Sequence, residues 1–530
     1  MFKKGKQNIL LVVGSWRTLI IAAFSLSIGY ALFRAISPWL DRPNNLSAPV
    51  VRYEEAMTKG NKRVGMLTFH NIVPGGVERY FLTSARAFQL QGFRVDILVK
   101  SDNKCKTIEF VRATAEFLRI ELDYRKLSLK VIRVKGNRIQ RASHSYDIFF
   151  VLGNQKIPQV FGLGKNLNIY MCQFPFDLGR PSDEAMLNII SEYDIVLVNS
   201  LYTLGWYAKV IQPAFNQSRI LGKKTPSVQI LYPPVDPYIA PLIISQPSKN
   251  VSNLSSPAEV IKIVLLGRFF SGRQNKGHKV AIKLLEKLRS RSTKSFEMTL
   301  IGSILPSTDA DVYVEELKSY VALHQLPVTF LLNAEPSDIA VKLSEATAFW
   351  QLTGIKDENS GAVDDPGSLE HFGIAVVEAM SMGCIPIVLK AGGTVDIVEH
   401  GKNGFLANTA TDYITHTLSL ASMSANKVRE MKAAAVNQST KFHVSRFINK
   451  LQIITHRALL AYPLRRVAHF FAAKMAHTSQ GDMRLVLRVG PGAHTRLAAF
   501  FSSIVPKQSY QRLPVSFTTA QSEEGQIPLL

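Results

Sequence analysis

Short apolar runs rich in β-branched and aromatic residues alternate with helical patterns along most of this chain, and the alternation occurs in two successive series. The first series runs KRVGMLTF, FRVDILVK, YDIFFVL, NIYMCQF, YDIVLVNS and VQILYPPVD. A polar, Pro/Ser/Asn-rich stretch at residues 245–259, SQPSKNVSNLSSPAE, interrupts it, and the pattern resumes with IKIVLLGR, FEMTLIGS, VTFLLN, ATAFWQLT and CIPIVLK. Strands separated by helices demand a parallel sheet covered on both faces, because a parallel connection must cross over the sheet. The expectation is an α/β protein of two Rossmann-like domains, residues 61–244 and 260–425, joined by the 245–259 linker. Ligands of such sheets bind at the carboxyl ends of the strands, which places the site in the crevice between the domains.

The flanks read differently. Residues 18–33, TLIIAAFSLSIGYALF, carry no charge; Trp16 and Trp39 bracket them, and Lys3, Lys4, Lys6 and Arg17 precede them. That pattern predicts a single membrane anchor with a cytoplasmic N-terminus, followed by a Pro-rich linker, so that residues 1–60 stand apart from the catalytic body. Residues 426–460 are expected to be helices packed on the domains. Residues 461–530 read as a basic tail with a frayed end, in which 463–477 is either a surface-binding amphipathic helix or a packing helix.

The net charge of +23 calls for an anionic partner, and the basic flanks suit an acidic membrane surface. The chain lacks zinc-finger spacing and a basic region with heptads, so nucleic acid is not the expected partner. Cys105, Cys172 and Cys384 are too widely spaced for a disulfide framework or a zinc site and read as buried thiols.

Chemistry concentrates in residues 368–408, SLEHFGIAVVEAMSMGCIPIVLKAGGTVDIVEHGKNGFLAN. Glu370 falls in a loop and Glu378 on a helix that starts near Gly373. The helix start leaves backbone N–H groups of His371, Phe372, Gly373 and Ile374 free to cradle a phosphate. Glu378 is then placed to accept from ribose hydroxyls, and Glu370 to reach a sugar. Taken alone, the two read better as a helix-start acid and a solvated helix residue.

The run EHFGIAVVEAM, followed by Gly392, Gly393 and GKNGFL, resembles the E-x7-E motif of the retaining, family-four glycosyltransferases with the GT-B fold, and is especially similar to dolichol-pathway mannosyltransferases and bacterial enzymes with the EHFGI core. VLLGRFFSGRQNKGHKVAI resembles the family's strand, basic loop and helix, which assigns Arg268 and Lys276 to the donor's pyrophosphate. The two stand eight positions apart, wider than the family's usual spacing, and Arg273 is a rival for one of the roles. TFHNIVPGGVERYF resembles the first-domain glycine loop, with Gly75 and Gly76 close to the donor phosphates. Where relatives often carry His before Phe/Tyr-Pro, this chain has Gln173, which hydrogen-bonds but does not titrate; His70 and His144 are the stand-ins. Ser200 and Asp236 are expected near the cleft mouth, Gln173 and Ser200 on the acceptor side.

The resemblance covers roughly residues 62–450. It implies transfer of a hexose from a nucleoside diphosphate sugar to an acceptor hydroxyl of a glycan or lipid-linked molecule, with retention of configuration. Arg268, Lys276 and Glu370 are the catalytic set. No cofactor or metal is expected, and Asp364 and Asp365 read as solvated loop acids. A membrane-tethered sugar-binding protein without activity, or an epimerase or phosphorylase on the same plan, are the alternatives.

Overall fold

The computed structural model describes residues 7–13, 62–132, 137–154, 160–164, 166–174, 183–220, 225–236, 260–304, 308–475, 483–489 and 517–519. β1 (Gln7–Val13) belongs to a small terminal sheet. Seven strands follow in a first parallel sheet: β2 (Arg63–Thr68), β3 (Arg94–Lys100), β4 (Leu127–Ile132), β5 (Ile148–Asn154), β6 (Leu167–Phe174), β7 (Ile195–Val198) and β8 (Ser227–Ile230). A second parallel sheet holds β9 (Val260–Leu266), β10 (Ser295–Gly302), β11 (Val328–Leu332), β12 (Ala348–Gln351), β13 (Ile385–Leu389) and β14 (Phe405–Ala407).

The spatial order is β4-β3-β2-β5-β6-β7-β8 in the first sheet and β11-β10-β9-β12-β13-β14 in the second. Both orders reverse direction once, between β2 and β5 and between β9 and β12, and a doubly wound sheet opens its ligand crevice at that reversal. The glycine loop follows β2, the basic loop follows β9, and the Glu370 loop follows β12. Topology alone therefore brings the three sequence-predicted segments to the switch points.

Both faces of each sheet are covered. Every residue of β6 and of β13 is buried, as the near-continuous apolar runs LNIYMCQF and IPIVL require. In the second domain, helices His278–Arg289 and Ala410–Ser422 cover one face, where Trp350 is fully buried and donates Nε1–H to Thr417 Oγ1 at 3.1 Å. Helices Ile374–Ser381 and Ala425–Ser439 cover the other, around Phe349, Val376 and Ala435. Burial of each such large side chain contributes about 1.5–3 kcal/mol. All three cysteines are buried free thiols.

The helix Val444–Met475 passes back to the first domain, where Phe447 meets Tyr80 edge to face at 4.8 Å and Thr455 donates to Gln91 Oε1 at 3.0 Å. It continues through the sequence-predicted boundary at 460. Residues 57–455 form one compact unit. The other unit is built from the two ends of the chain: β15 (Met483–Val489) and β16 (Phe517–Thr519) flank β1 in an antiparallel sheet. The expected basic tail thus contains the strand Met483–Val489, and its expected frayed end the short strand Phe517–Thr519; the period-2 alternation of MRLVLRV is the signal that predicts the first. The anchor predicted at residues 18–33 lies outside the described residues; among the described residues no helix is long and apolar enough to cross a membrane.

Candidate functional site

Glu370 is held from one side only. Its Oε2 accepts from Lys276 Nζ at 2.9 Å and from Gln351 Nε2 at 3.2 Å, while Oε1 makes no hydrogen bond among the described residues. Burial works to raise this carboxyl, but Lys276, with the Gln351 hydrogen bond adding to it, outweighs burial and holds it below the usual carboxylate range. The result is an ionised acceptor with one oxygen pinned and the other open.

The loops behind it are built to hold that position. The Lys276 side chain lies across Gly267, where a Cβ would overlap its Cγ, and Gly277, left-handed at φ 74°, starts the helix that follows. Gly393 N–H donates to the Glu370 carbonyl at 2.7 Å, and a Cβ on Gly392 or Gly393 would strike the backbone of Glu370 or His371. The di-glycine turn Gly392–Gly393 is therefore packed beneath the Glu370 loop and supports it. Gly373, at φ 108°, turns the chain into the helix Ile374–Ser381, whose first N–H groups point along its axis into the cleft.

The first domain meets this helix start closely. A Cβ on Gly76 would lie 2.8 Å from Ile374 Cδ1, so the N-termini of helices Gly76–Leu90 and Ile374–Ser381 converge. Two partial positive ends on one volume make an anion site. Arg268 is exposed beside it and makes no hydrogen bond or ion pair among the described residues.

Two charged residues near this junction were missed by the sequence reading. Glu78, in the first turn after Gly75 and Gly76, is pushed by burial up to about 7, although its own backbone N–H and the Arg268 charge pull it down. Above pH 7 its carboxylate would repel an anion held at the two helix starts and compete for Arg268, so the KM of a diphosphate-bearing donor is expected to rise as pH passes through about 7 and to lose that step in Glu78→Gln. A pH profile of donor KM, unchanged between the two proteins, would contradict this. Arg79 pairs with Glu378 at 3.7 Å. Glu378 is 6% exposed and faces a cavity between the domains together with Arg79 and Asp236, so it is not a solvated helix acid.

His371 is buried, its ring 3.1 Å from the Gln274 amide nitrogen and stacked on Phe174 at 3.7 Å, with Tyr202 lying near-parallel beside the pair, 5.9 Å from Phe174 and 6.5 Å from His371. Burial pushes its pKa down to about 4 against the pull of Glu370, so it is neutral at physiological pH and adds no charge to the site. Phe372 packs into the core under the second sheet. Tyr202 Oη donates to the Pro366 carbonyl at 2.9 Å, and Leu201 N–H donates to Asp396 Oδ2 at 2.6 Å, which closes the cleft on this flank.

Gln173 ends β6 beside the ring stack, 7% exposed, with its amide unpaired among the described residues. Ser200 is fully buried and caps the helix Leu201–Ile220, accepting from Thr203 N–H at 3.0 Å; its hydroxyl is committed to that cap and does not face an acceptor. Arg273 forks onto Asp365 at 2.9 and 3.1 Å, so it braces the basic loop and is not available in place of Arg268 or Lys276. His70 follows β2 near the cleft, whereas His144 caps the helix that precedes β5 and lies at the amino ends of the strands, opposite the cleft. Among the described residues no group of three His, Cys, Asp or Glu could hold a metal ion.

Residues 249–438 match the family described as Glycosyl transferases group 1. A GDP-Man:Man(3)GlcNAc(2)-PP-Dol alpha-1,2-mannosyltransferase of Xenopus laevis is 28% identical over 46% of this chain and 45% of its own length. An alpha-1,3/1,6-mannosyltransferase of Rhizomucor pusillus is 24% identical over 64% of this chain and 79% of its own. The chain spans about half the length of the first of these relatives. A solved glycosyltransferase from Rickettsia africae shares the fold, with a TM-score of 0.53 at 13% identity over 76% of this chain and 99% of that one. Residues 249–438 thus resemble a group 1 glycosyltransferase domain, within a GT-B-like frame of two parallel α/β sheets.

Proposed function

We propose that this protein transfers a hexose from a nucleoside diphosphate sugar to an acceptor hydroxyl with retention of configuration. The observation that carries the reading is Glu370, pinned through one oxygen by Lys276 and Gln351 and open through the other, beside two converging helix N-termini. The open oxygen accepts from a hydroxyl of the donor sugar and fixes the anomeric carbon. The diphosphate lies against the N-termini of helices Gly76–Leu90 and Ile374–Ser381, and Arg268 and Lys276 neutralise it as the bond to the sugar breaks. The chain supplies this charge itself, so the reaction calls for no metal ion.

Glu378 accepts from the ribose hydroxyls, sharing its carboxylate with Arg79. Gln173 faces the acceptor and hydrogen-bonds its hydroxyls without taking a proton. The relatives named for GDP-Man and a PP-Dol acceptor favour GDP-mannose as donor and a lipid-linked glycan as acceptor. A membrane surface at the endoplasmic reticulum or Golgi, with an anchor at residues 18–33, belongs to the same reading, and the charge of +23 suits it.

A screen of nucleotide sugars for thermal stabilisation tests this directly. A donor at about one hundred times its Kd stabilises the fold by about 2.7 kcal/mol. GDP-mannose is expected to raise the melting temperature and to be slowly hydrolysed with retention at the anomeric carbon. A chain that no nucleotide sugar stabilises is not this enzyme.

A further inference from the structure

The cavity at Glu378 has a second carboxylate that the donor reading leaves without work. Asp236 sits at the end of the segment that leaves β8, across the cavity from Pro336 and Ile339 at the start of the helix Pro336–Glu345. It is partly buried, yet makes no hydrogen bond among the described residues. Burial lifts it above the usual carboxylate range while Arg79, His443 and Arg119 pull against that shift. A carboxylate taken out of water and left without a hydrogen bond is costly unless a ligand completes it.

Arg119 completes the same wall. The helix Ile108–Phe117 ends in a turn in which Ile120 N–H returns to the Ala115 carbonyl at 2.8 Å and Arg119 takes the left-handed conformation, φ 56°. Glycine is the usual residue at that position, because a Cβ costs about 1 kcal/mol or more there. An arginine held there at a backbone cost puts a side chain where the fold alone would prefer none.

Resting on the donor site proposed above, we infer that Asp236 and Arg119 read the base of the donor, and that the base is guanine. Glu378 fixes the ribose, which directs the base to the cavity wall, where Leu118, Pro336 and Ile339 offer apolar surface to a planar ring. Guanine is the base with two adjacent donors, N1–H and the N2 amino group, on one edge and two adjacent acceptors, O6 and N7, on another. A carboxylate accepts from the first edge and an arginine fork donates to the second. Uracil sets carbonyl oxygens on both sides of its single N–H, and adenine sets a lone pair beside its amino group, so each meets Asp236 with repulsion. Discrimination here is of the strong kind, in which the wrong base leaves a desolvated charge unpaired.

The test is calorimetric binding of GDP, UDP and ADP to the full chain, to Asp236→Asn and to Arg119→Gly, the last chosen because glycine suits the left-handed backbone. The wild-type chain is expected to bind GDP at least about tenfold tighter than UDP or ADP, and both variants to lose most of that preference: GDP binding weakens in each, UDP and ADP binding tightens in Asp236→Asn as the repulsion is relieved, and UDP affinity stays within about twofold in Arg119→Gly. An unchanged GDP to UDP ratio in both variants, or a wild-type preference for UDP or ADP, overturns the inference and leaves the transferase reading standing. Failure of all three nucleotides to bind the wild-type chain overturns both.

Discussion

Lys276→Ala is expected to lower single-turnover transfer by roughly a hundredfold or more, and by more than Arg268→Ala does. Arg268 is exposed and makes no ion pair among the described residues, so its removal subtracts only the charge that meets the departing diphosphate. Lys276 has two tasks, because the same ammonium pins Glu370 Oε2 at 2.9 Å and holds that carboxyl ionised. Removing it leaves Glu370 with Gln351 as its remaining side-chain partner and frees it to swing or to take up a proton. The sugar-positioning oxygen is then lost along with the phosphate contact. Stability should fall by about 1–2 kcal/mol in Lys276→Ala and stay near wild type in Arg268→Ala. Equal losses in rate with equal melting temperatures would contradict this division of labour.

Gly393→Ala is the second large effect, and it arises without touching a ligand. The new Cβ would overlap the His371 carbonyl oxygen and sit 2.6 Å from the Phe372 Cα, and both neighbours are backbone that cannot rotate away. The Glu370–Gly373 loop must move off the turn, at a cost of about 1–3 kcal/mol in stability. A displacement on the order of 1 Å at a positioned catalytic group costs about a hundredfold in rate. Transfer should therefore collapse while donor-induced stabilisation is weakened but measurable, since the first-domain helix and Arg268 are untouched. A variant with normal rate and normal melting temperature would show that the turn does not support the loop.

Much of this site is legible in the sequence because its parts are local. The Glu370 to Glu378 spacing, the glycines at 75, 76, 373, 392 and 393, and the strands ending just before them are all set by residues within a few positions of each other. The two-sheet frame is legible for the same reason, since each strand announces itself through its own apolar run. Pairs that join distant segments are not. Arg79 with Glu378, the field of Arg268 on Glu78, and the His371 ring on Phe174 each depend on how two domains meet, and no local pattern encodes that. Arg273 and Ser200 illustrate the opposite error, in which a residue of suitable chemistry is already spent. Arg273 is tied to Asp365, and Ser200 caps a helix. The strand Met483–Val489 is hidden by its own arginines, Arg484 and Arg488, which read as part of a basic tail.

The most direct test of the cleft as the seat of transfer is the single-turnover rate with a stabilising nucleotide sugar, measured for the wild-type chain and for the Arg268→Ala, Lys276→Ala double variant, each beside its melting temperature. Transfer with retention by the wild-type chain, and a rate in the folded double variant lower by about a thousandfold or more, is the predicted result. Near-normal transfer by a folded double variant would place the chemistry elsewhere in the chain.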